Sequence, residues 1–234
     1  MKIDVVGCMC TWTKNLSASY IINDELMFDI PQGSFKTLFE DYDILKTKYI
    51  IISHFHSDHF MDIHLVLDFF VHHSKEKLTI IAPKGCKERL KTMFRLVEVT
   101  YLEEALNDIT FIGCENNKII NIGDYKIKMF KMLHNNLDSY GFTIQQNGIT
   151  VGFSGDSAMC NNVRKIISKS KVAFIDCAQV KVTNKHLCVE EVKGLIKDYP
   201  SCKIYPTHMS IFSIKELDKA GLPYPKQSDI VIVE

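Results

Sequence analysis

A chain of 234 residues, 46% hydrophobic and 24% charged, can bury a substantial core and has the composition of one ordinary globular domain, 1–234. Its 28 Lys and Arg balance 28 Asp and Glu, so net charge gives no general attraction to a polyanion, and a nucleic-acid polymer is not the expected partner. No apolar run is long enough to span a bilayer. The eight cysteines form neither a disulfide framework nor a zinc-ribbon pattern and no leader precedes them, which reads as reduced thiols in the cytoplasm.

Short strands are predicted at 2–7, 18–23, 26–30 and 48–53, each rich in Ile, Val, Tyr or Phe and bounded by turn residues. Asn23-Asp24-Glu25 makes the tight connection between the second and third. Residues 60–74 predict one helix, apolar over most of its circumference, so either deeply buried or partly covered by a second subunit. A strand at 78–82 and a helix over 83–96 follow. Further on, 126–133 is a strand, and 141–146 and 149–153 form a hairpin around Asn147-Gly148. Helices at 159–169, 188–198 and 213–220 alternate with strands at 171–177, 203–205 and 230–233. The two halves echo each other: 20–29 and 142–156 are both hairpins ending in an aspartate, which suggests a duplicated β-rich unit with outer helices and two sheets packed face to face.

The chemistry concentrates in His54-Phe55-His56-Ser57-Asp58-His59, directly after the apolar run Tyr49-Ile50-Ile51-Ile52. Such a cluster at the end of a buried strand is costly to desolvate unless it meets a cation. His54 and His56 are two apart across a sharp loop and can face one ion; Asp58 and His59 can face a second. A dinuclear hydrolytic site needs more ligands than one cluster supplies. His134, Asp156 and His208 each follow a predicted strand, as the cluster does, and groups at one end of a sheet system can converge. Asp156 has two oxygens and can bridge both ions. Nitrogen-rich ligation suits zinc, with manganese or iron as alternatives.

In order and spacing, these residues resemble the metallo-β-lactamase superfamily of hydrolases. The resemblance covers nearly the whole chain, with Asp29 matching the superfamily's first motif. It implies an α/β fold, a four-layer αβ/βα sandwich of two mixed β-sheets flanked by helices, with the site on one edge. It further implies that His54, His56 and His134 hold one divalent metal ion and Asp58, His59 and His208 the other. Asp156 then bridges, and Asp29 orients the ligand loop without binding metal.

His186, which precedes the helix at 188–198, resembles the histidine that protonates the leaving oxygen in the branch containing the tRNA 3′-processing endonucleases (RNase Z-like). That makes His186 and Asp58 the candidate catalytic residues. Those endonucleases carry a long tRNA-gripping arm between the equivalents of His134 and Asp156; only 21 residues intervene here, and the Gly-rich first motif is replaced by Phe28-Asp29-Ile30-Pro31-Gln32-Gly33. The chain is similar to small arm-less members, among them the cyclic-nucleotide phosphodiesterases, phage-encoded or bacterial, that destroy the pyrimidine cyclic nucleotides of the Pycsar defence system. The resemblance implies hydrolysis of a small phosphodiester, a cyclic mononucleotide above all, by a homodimer. A tRNA 3′-processing endonuclease and a lactone or thioester hydrolase remain the alternatives. His64, His72 and His73 read as packed or exposed helix residues, and Ser210 as an ordinary turn serine.

Overall fold

Strand residues alternate between two cores. In the computed structural model, which describes residues 1–234, Tyr20, Ile22, Leu26, Phe28 and Ile51 join a cluster of 39 buried residues, while their neighbours Ile21, Met27, Ile50 and Ile52 join a second cluster of 21. Both faces of these strands are therefore apolar, and the strands read as continuous hydrophobic runs. The strands are β1 (Lys2–Gly7), β2 (Ser19–Ile22), β3 (Leu26–Phe28), β4 (Tyr49–Ile51), β5 (Thr79–Ala82), β6 (Thr110–Gly113), β7 (Ile119–Ile122), β8 (Tyr125–Lys131), β9 (Tyr140–Gln146), β10 (Ile149–Phe153), β11 (Val172–Asp176), β12 (Lys203–Thr207) and β13 (Ile230–Ile232). They form a seven-stranded sheet, β13-β1-β2-β3-β4-β5-β6, and a six-stranded sheet, β12-β11-β10-β9-β8-β7.

The larger cluster fills the space between the sheets and continues beneath the outer helices of the second sheet, and the smaller one lies beneath the outer helices of the first sheet. Those helices are α1 (Ser34–Asp41), α2 (Ser57–Phe60), α3 (Ile63–His73), α4 (Cys86–Leu96) and α5 (Leu102–Ala105). The second sheet is covered by α6 (Asn161–Ser168) and α7 (Val189–Asp198), with α8 (Ile211–Lys219) packed against α7. Ile166 of α6 lies where a side chain on Gly152 would go, only 2.5 Å from an ideal Cβ, so a glycine is required for the helix to sit this close. The result is the expected αβ/βα sandwich. No helix is long and apolar enough to cross a membrane.

The internal echo has a topological counterpart. In both sheets the order of pairing is antiparallel, antiparallel, parallel, parallel, through β1-β2-β3-β4-β5 and through β8-β9-β10-β11-β12. Both hairpin turns carry left-handed residues: Asn23 and Asn147 have φ of 50° and 51°, and Asp24 and Gly148 follow at 62° and 81°. Phe28 stacks on Phe153 at 4.7 Å and Phe153 on Phe174 at 5.2 Å, so an aromatic pile joins β3, β10 and β11 across the two sheets. Each of these strands carries an aspartate within three residues of its stacked ring: Asp29, Asp156 and Asp176. The pile thus fixes the relative height of the strand ends that bear the polar cluster.

The helix expected over 60–74 is α3, which begins three residues later at Ile63, and a separate helical turn, α2, precedes it. The turn Ser57–Phe60 is separated from Ile63–His73 because Asp62 is used elsewhere: its backbone N–H donates to Ile30 and its carboxylate accepts from the N–H of Phe35. α3 is buried along Ile63, Val66, Leu67 and Phe70 only, leaving Leu65 and Val71 exposed. The elements α1, α5, β6 and β7 lie outside the predicted set. β12 runs two residues past its expected end, which brings it to the residue before His208.

Candidate metal centre

Asp29 organises the first ligand loop from the end of β3. Its carboxylate accepts the Ser53 N–H at 2.7 Å, the Ser53 hydroxyl at 2.7 Å and His59 Nδ1–H at 2.7 Å, so it grips the loop at both ends. These bonds also decide tautomers. Ser53 spends its proton on Asp29, so the contact of 3.0 Å to His54 Nδ1 makes that nitrogen the donor. His134 Nδ1 donates to the Lys185 carbonyl at 2.8 Å. In each neutral ring the lone pair is therefore on Nε2, the arrangement common to metal-bound imidazoles.

Ring nitrogens of four histidines converge on Asp156. His54 Nε2 and His134 Nε2 lie 3.7 and 3.8 Å from its Oδ2, and His59 Nε2 and His208 Nδ1 lie 3.3 and 3.5 Å from its Oδ1. Each oxygen faces its own set of imidazoles. His56 Nδ1 approaches His134 Nε2 at 3.4 Å, and Asp58 Oδ2 lies 3.2 Å from His208 Nε2 and 3.8 Å from His59 Nε2. Donor atoms of His54, His56, His134 and Asp156 all lie within 4.8 Å of one another, as do those of Asp58, His59 and His208. Metal bonds of about 2.0–2.1 Å in tetrahedral geometry set donors roughly 3.3 Å apart, close to these spacings.

Five buried side-chain atoms lack a hydrogen-bond partner, and four of them, His54 Nε2, His59 Nε2, Asp156 Oδ1 and His208 Nδ1, meet here; the fifth, Asp4 Oδ2, is 3.1 Å from Lys2 Nζ. Each unpaired buried atom costs about 1–3 kcal/mol. A divalent cation removes that cost, so the donor set fits divalent metal ions.

The electrostatics agree. Burial, and then the charge of His59, holds His54 well below the ordinary imidazole value, so it is neutral and ready to bind. Burial alone would raise Asp156, but His208 and His59 outweigh it and keep the carboxyl well below its usual range. Burial opposes charge on His59, yet Asp156 and Asp29 raise it well above the usual value. Protons stand in for cations here.

Backbone strain gathers at the same place. Asp29 and His208 have φ of 54° and 53°, Asn135 beside His134 has 51°, and Gly155 before Asp156 has 56°. A Cβ on Gly155 would also stand 2.9 Å from the Tyr140 carbonyl.

A third group of converging donors joins Asp156, His208 and His186 to Asp176, which the sequence reading did not single out. Asp176 closes β11 and is fully buried. Its Oδ2 accepts from the Ser157 N–H and from His186 Nδ1, both at 2.8 Å, and its Oδ1 accepts from the Ala178 N–H at 3.0 Å. The His186 ring stands 4.8 Å from that of His134 and stacks 5.2 Å from that of His208. Burial resists its protonation, but Asp176 dominates and raises it to about 9. The rule that located the other candidates, a ligand-type His or Asp at the C-terminal end of a strand, also describes Asp176. Thr11 was missed as well; its hydroxyl donates to Asp58 Oδ2 at 2.6 Å. Ser210 caps α8, bonded to Ser213 and the Ala178 carbonyl, and His64, His72 and His73 stay on α3 away from the cluster.

A model of the beta-lactamase superfamily domain matches residues 30–209, spanning every metal-ligand candidate, His186 and Asp176, with Asp29 and Thr11 outside it. The chain belongs to the metallo-β-lactamase superfamily. Ribonuclease Z of Staphylococcus saprophyticus is 29% identical over 127 residues, which is 53% of this chain and 40% of that protein, so the match spans less than half of the relative's length. Human tRNase Z, short form, superposes with a TM-score of 0.79 at 15% identity over 100% of both chains. The metallo-β-lactamase fold protein YhfI from Bacillus subtilis gives 0.78 at 18% over 98% of both. Within that superfamily fold, the chain's His/Asp clusters suit divalent metal.

Proposed function

We propose that the chain is a phosphodiesterase that uses two divalent ions, zinc by preference, to hydrolyse a small phosphodiester, a cyclic mononucleotide before others. His54, His56 and His134 would hold one ion and Asp58, His59 and His208 the other, with Asp156 available to both sets. When bound, such ions activate water at neutral pH and offset charge building on the phosphoryl oxygens.

The protein's own residues supply the rest. Asp29 holds the rings of His54 and His59 in the binding tautomer, directly and through Ser53. Asp58, fixed by Thr11, orients the attacking water beside His208. His186 donates a proton from Nε2 to the leaving oxygen while its Nδ1–H stays on Asp176. The observation that carries this reading is the Asp176–His186 pair at 2.8 Å, flanked by His134 and His208. A ribose alkoxide is a poor leaving group and needs a proton as the P–O bond breaks, which His186 is placed to supply.

A second reading has its own support: the sequence match to ribonuclease Z favours cleavage of a tRNA precursor. Against a large RNA stands the short connection from His134 to Asp156, where β9 and β10 use most of the residues and leave no gripping arm. A homodimer is part of the proposal, with the exposed Phe39, Leu65 and Val71 of α1 and α3 as its apolar surface.

The test is a panel of 3′,5′- and 2′,3′-cyclic mononucleotides, a base-free cyclic sugar phosphate, pre-tRNA and a lactone, offered to metal-loaded protein. Turnover of a cyclic phosphodiester that fails with His186→Ala is the expected result. Turnover of the lactone alone, indifferent to His186, contradicts the reading.

A further inference from the structure

Three loops beside the metal centre, 8–16, 177–188 and 208–215, expose large apolar side chains, which neither metal binding nor folding requires. Trp12, the only tryptophan in the chain, is 89% exposed. It follows Thr11, whose hydroxyl holds Asp58 at 2.6 Å, and its loop is tied down by the Cys10 N–H to the Met209 carbonyl at 2.9 Å. Trp12 therefore projects from a loop pinned to two ligand-bearing segments. The Ser210 hydroxyl joins the segment after Ala178 to that after Met209 at 2.7 Å, and those two segments expose Val180, Val182, Ile211 and Phe212. Large apolar side chains gathered in one exposed place mark a binding surface.

Charge narrows the occupant. Residues 8–16, 177–188 and 208–215 contain Lys14, Lys181, Lys185 and Lys215, all exposed, and not one Asp or Glu, although the chain as a whole has net charge zero. The rim suits an anion with a flat apolar body. A nucleotide has that character, and its phosphate is what the adjoining metal centre would hold.

Resting on the phosphodiesterase reading, we infer that Trp12 is the seat on which the substrate's base stacks, with Phe212 and Val182 as the neighbouring wall. Trp12 is then a specificity residue. It contributes to binding and leaves the chemical step alone.

The single tryptophan makes the test direct. Metal-loaded protein is titrated with 3′,5′-cyclic UMP, 3′,5′-cyclic AMP and a base-free 1-O-methylribose 3′,5′-cyclic phosphate while tryptophan emission is read. Both nucleotides should quench it and the sugar phosphate should not. Trp12→Ala should raise KM for the nucleotides about 5- to 100-fold, the range that base–aromatic stacking supplies, with kcat within about 3-fold and no change for the sugar phosphate; Trp12→Phe should recover most of the loss. Quenching without turnover supports the seat and removes the phosphodiesterase reading. Turnover of nucleotide and sugar phosphate at equal KM, unaltered in Trp12→Ala and without quenching, overturns the seat and leaves the phosphodiesterase. A shift from dimer to monomer in Trp12→Ala, with nucleotide KM unchanged, also overturns it, because a second copy then covers the indole.

Discussion

The carboxylate of Asp176 lies 2.8 Å from Nδ1 of His186, and the same oxygen receives the backbone N–H of Ser157 one residue after Asp156. One buried acid thus fixes both the proposed proton donor and the strand end that bears the shared ligand. Asp176→Asn should lower kcat on a cyclic phosphodiester by about 10²-fold, with metal content unchanged. Steady-state kinetics beside metal analysis checks this; equal loss of metal and activity would assign Asp176 to the metal centre itself.

The pH profile follows from the same pair. His186 is raised to about 9 by Asp176 against the opposing effect of burial, and bound cations nearby pull it back down. A proton donor works while protonated, so kcat should fall as pH rises through a limb at or below about 9. In Asp176→Asn that limb should move to lower pH. A limb that stays fixed in the variant separates His186 from the titration.

Asp29 touches no substrate in this account, yet it grips Ser53 and His59 together. Asp29→Ala should weaken metal binding about 10- to 100-fold, read by competition with a chelator. Asparagine at this position should recover part of the loss, because its carbonyl can still accept one of the three bonds.

Metal binding should release protons. Asp156 and Asp29, outweighing burial, hold His59 well above the ordinary imidazole value, so the metal-free protein keeps that ring protonated at pH 7. A ligand must be neutral, so a proton leaves when metal arrives, and apparent affinity falls as pH is lowered. Calorimetry of zinc binding in two buffers of different ionisation enthalpy measures the release. Buffer-independent heat would show that the ring is already neutral.

Much of the site was legible because its residue types are rare in company. Four potential ligands within 54–59, after an apolar strand, have few other uses, and His134, Asp156 and His208 follow strands in the same manner. Asp176 was not, because an acid at a strand end is ordinary until its neighbours are known, and those lie on other strands. Thr11 sits in a loop without regular structure, and only the fold brings it to Asp58. The break between α2 and α3 was hidden because the apolar run from Phe60 to Val71 continues through it; the cause is Asp62, whose partners Ile30 and Phe35 are far away in sequence. α1 was hidden behind Pro31-Gln32-Gly33, which reads as a motif loop, though Phe35, Leu38 and Phe39 have helical spacing. The parallel strands β4, β5, β10 and β11 were legible through their apolar runs, while the edge strands β6 and β7, mostly half-buried or exposed, had no such pattern.

The aromatic pile below the site should matter to stability and metal together. Phe153 stacks on both Phe28 and Phe174, and Phe153→Ala should cost about 3–5 kcal/mol in urea unfolding. At temperatures where the variant is still folded, metal affinity should also drop, since three aspartate-bearing strands lose their common reference. A destabilised variant with unaltered metal affinity would show that the ligand loops hold their own geometry.

The most direct test of the account is metal content per chain after zinc reconstitution, in the wild type and in Asp156→Ala. Two sets of imidazoles facing the two oxygens of one carboxylate predict about two ions per wild-type chain and loss of most of the metal in the variant. A wild-type chain that retains no transition metal, or an Asp156→Ala chain that still carries both ions, would contradict it.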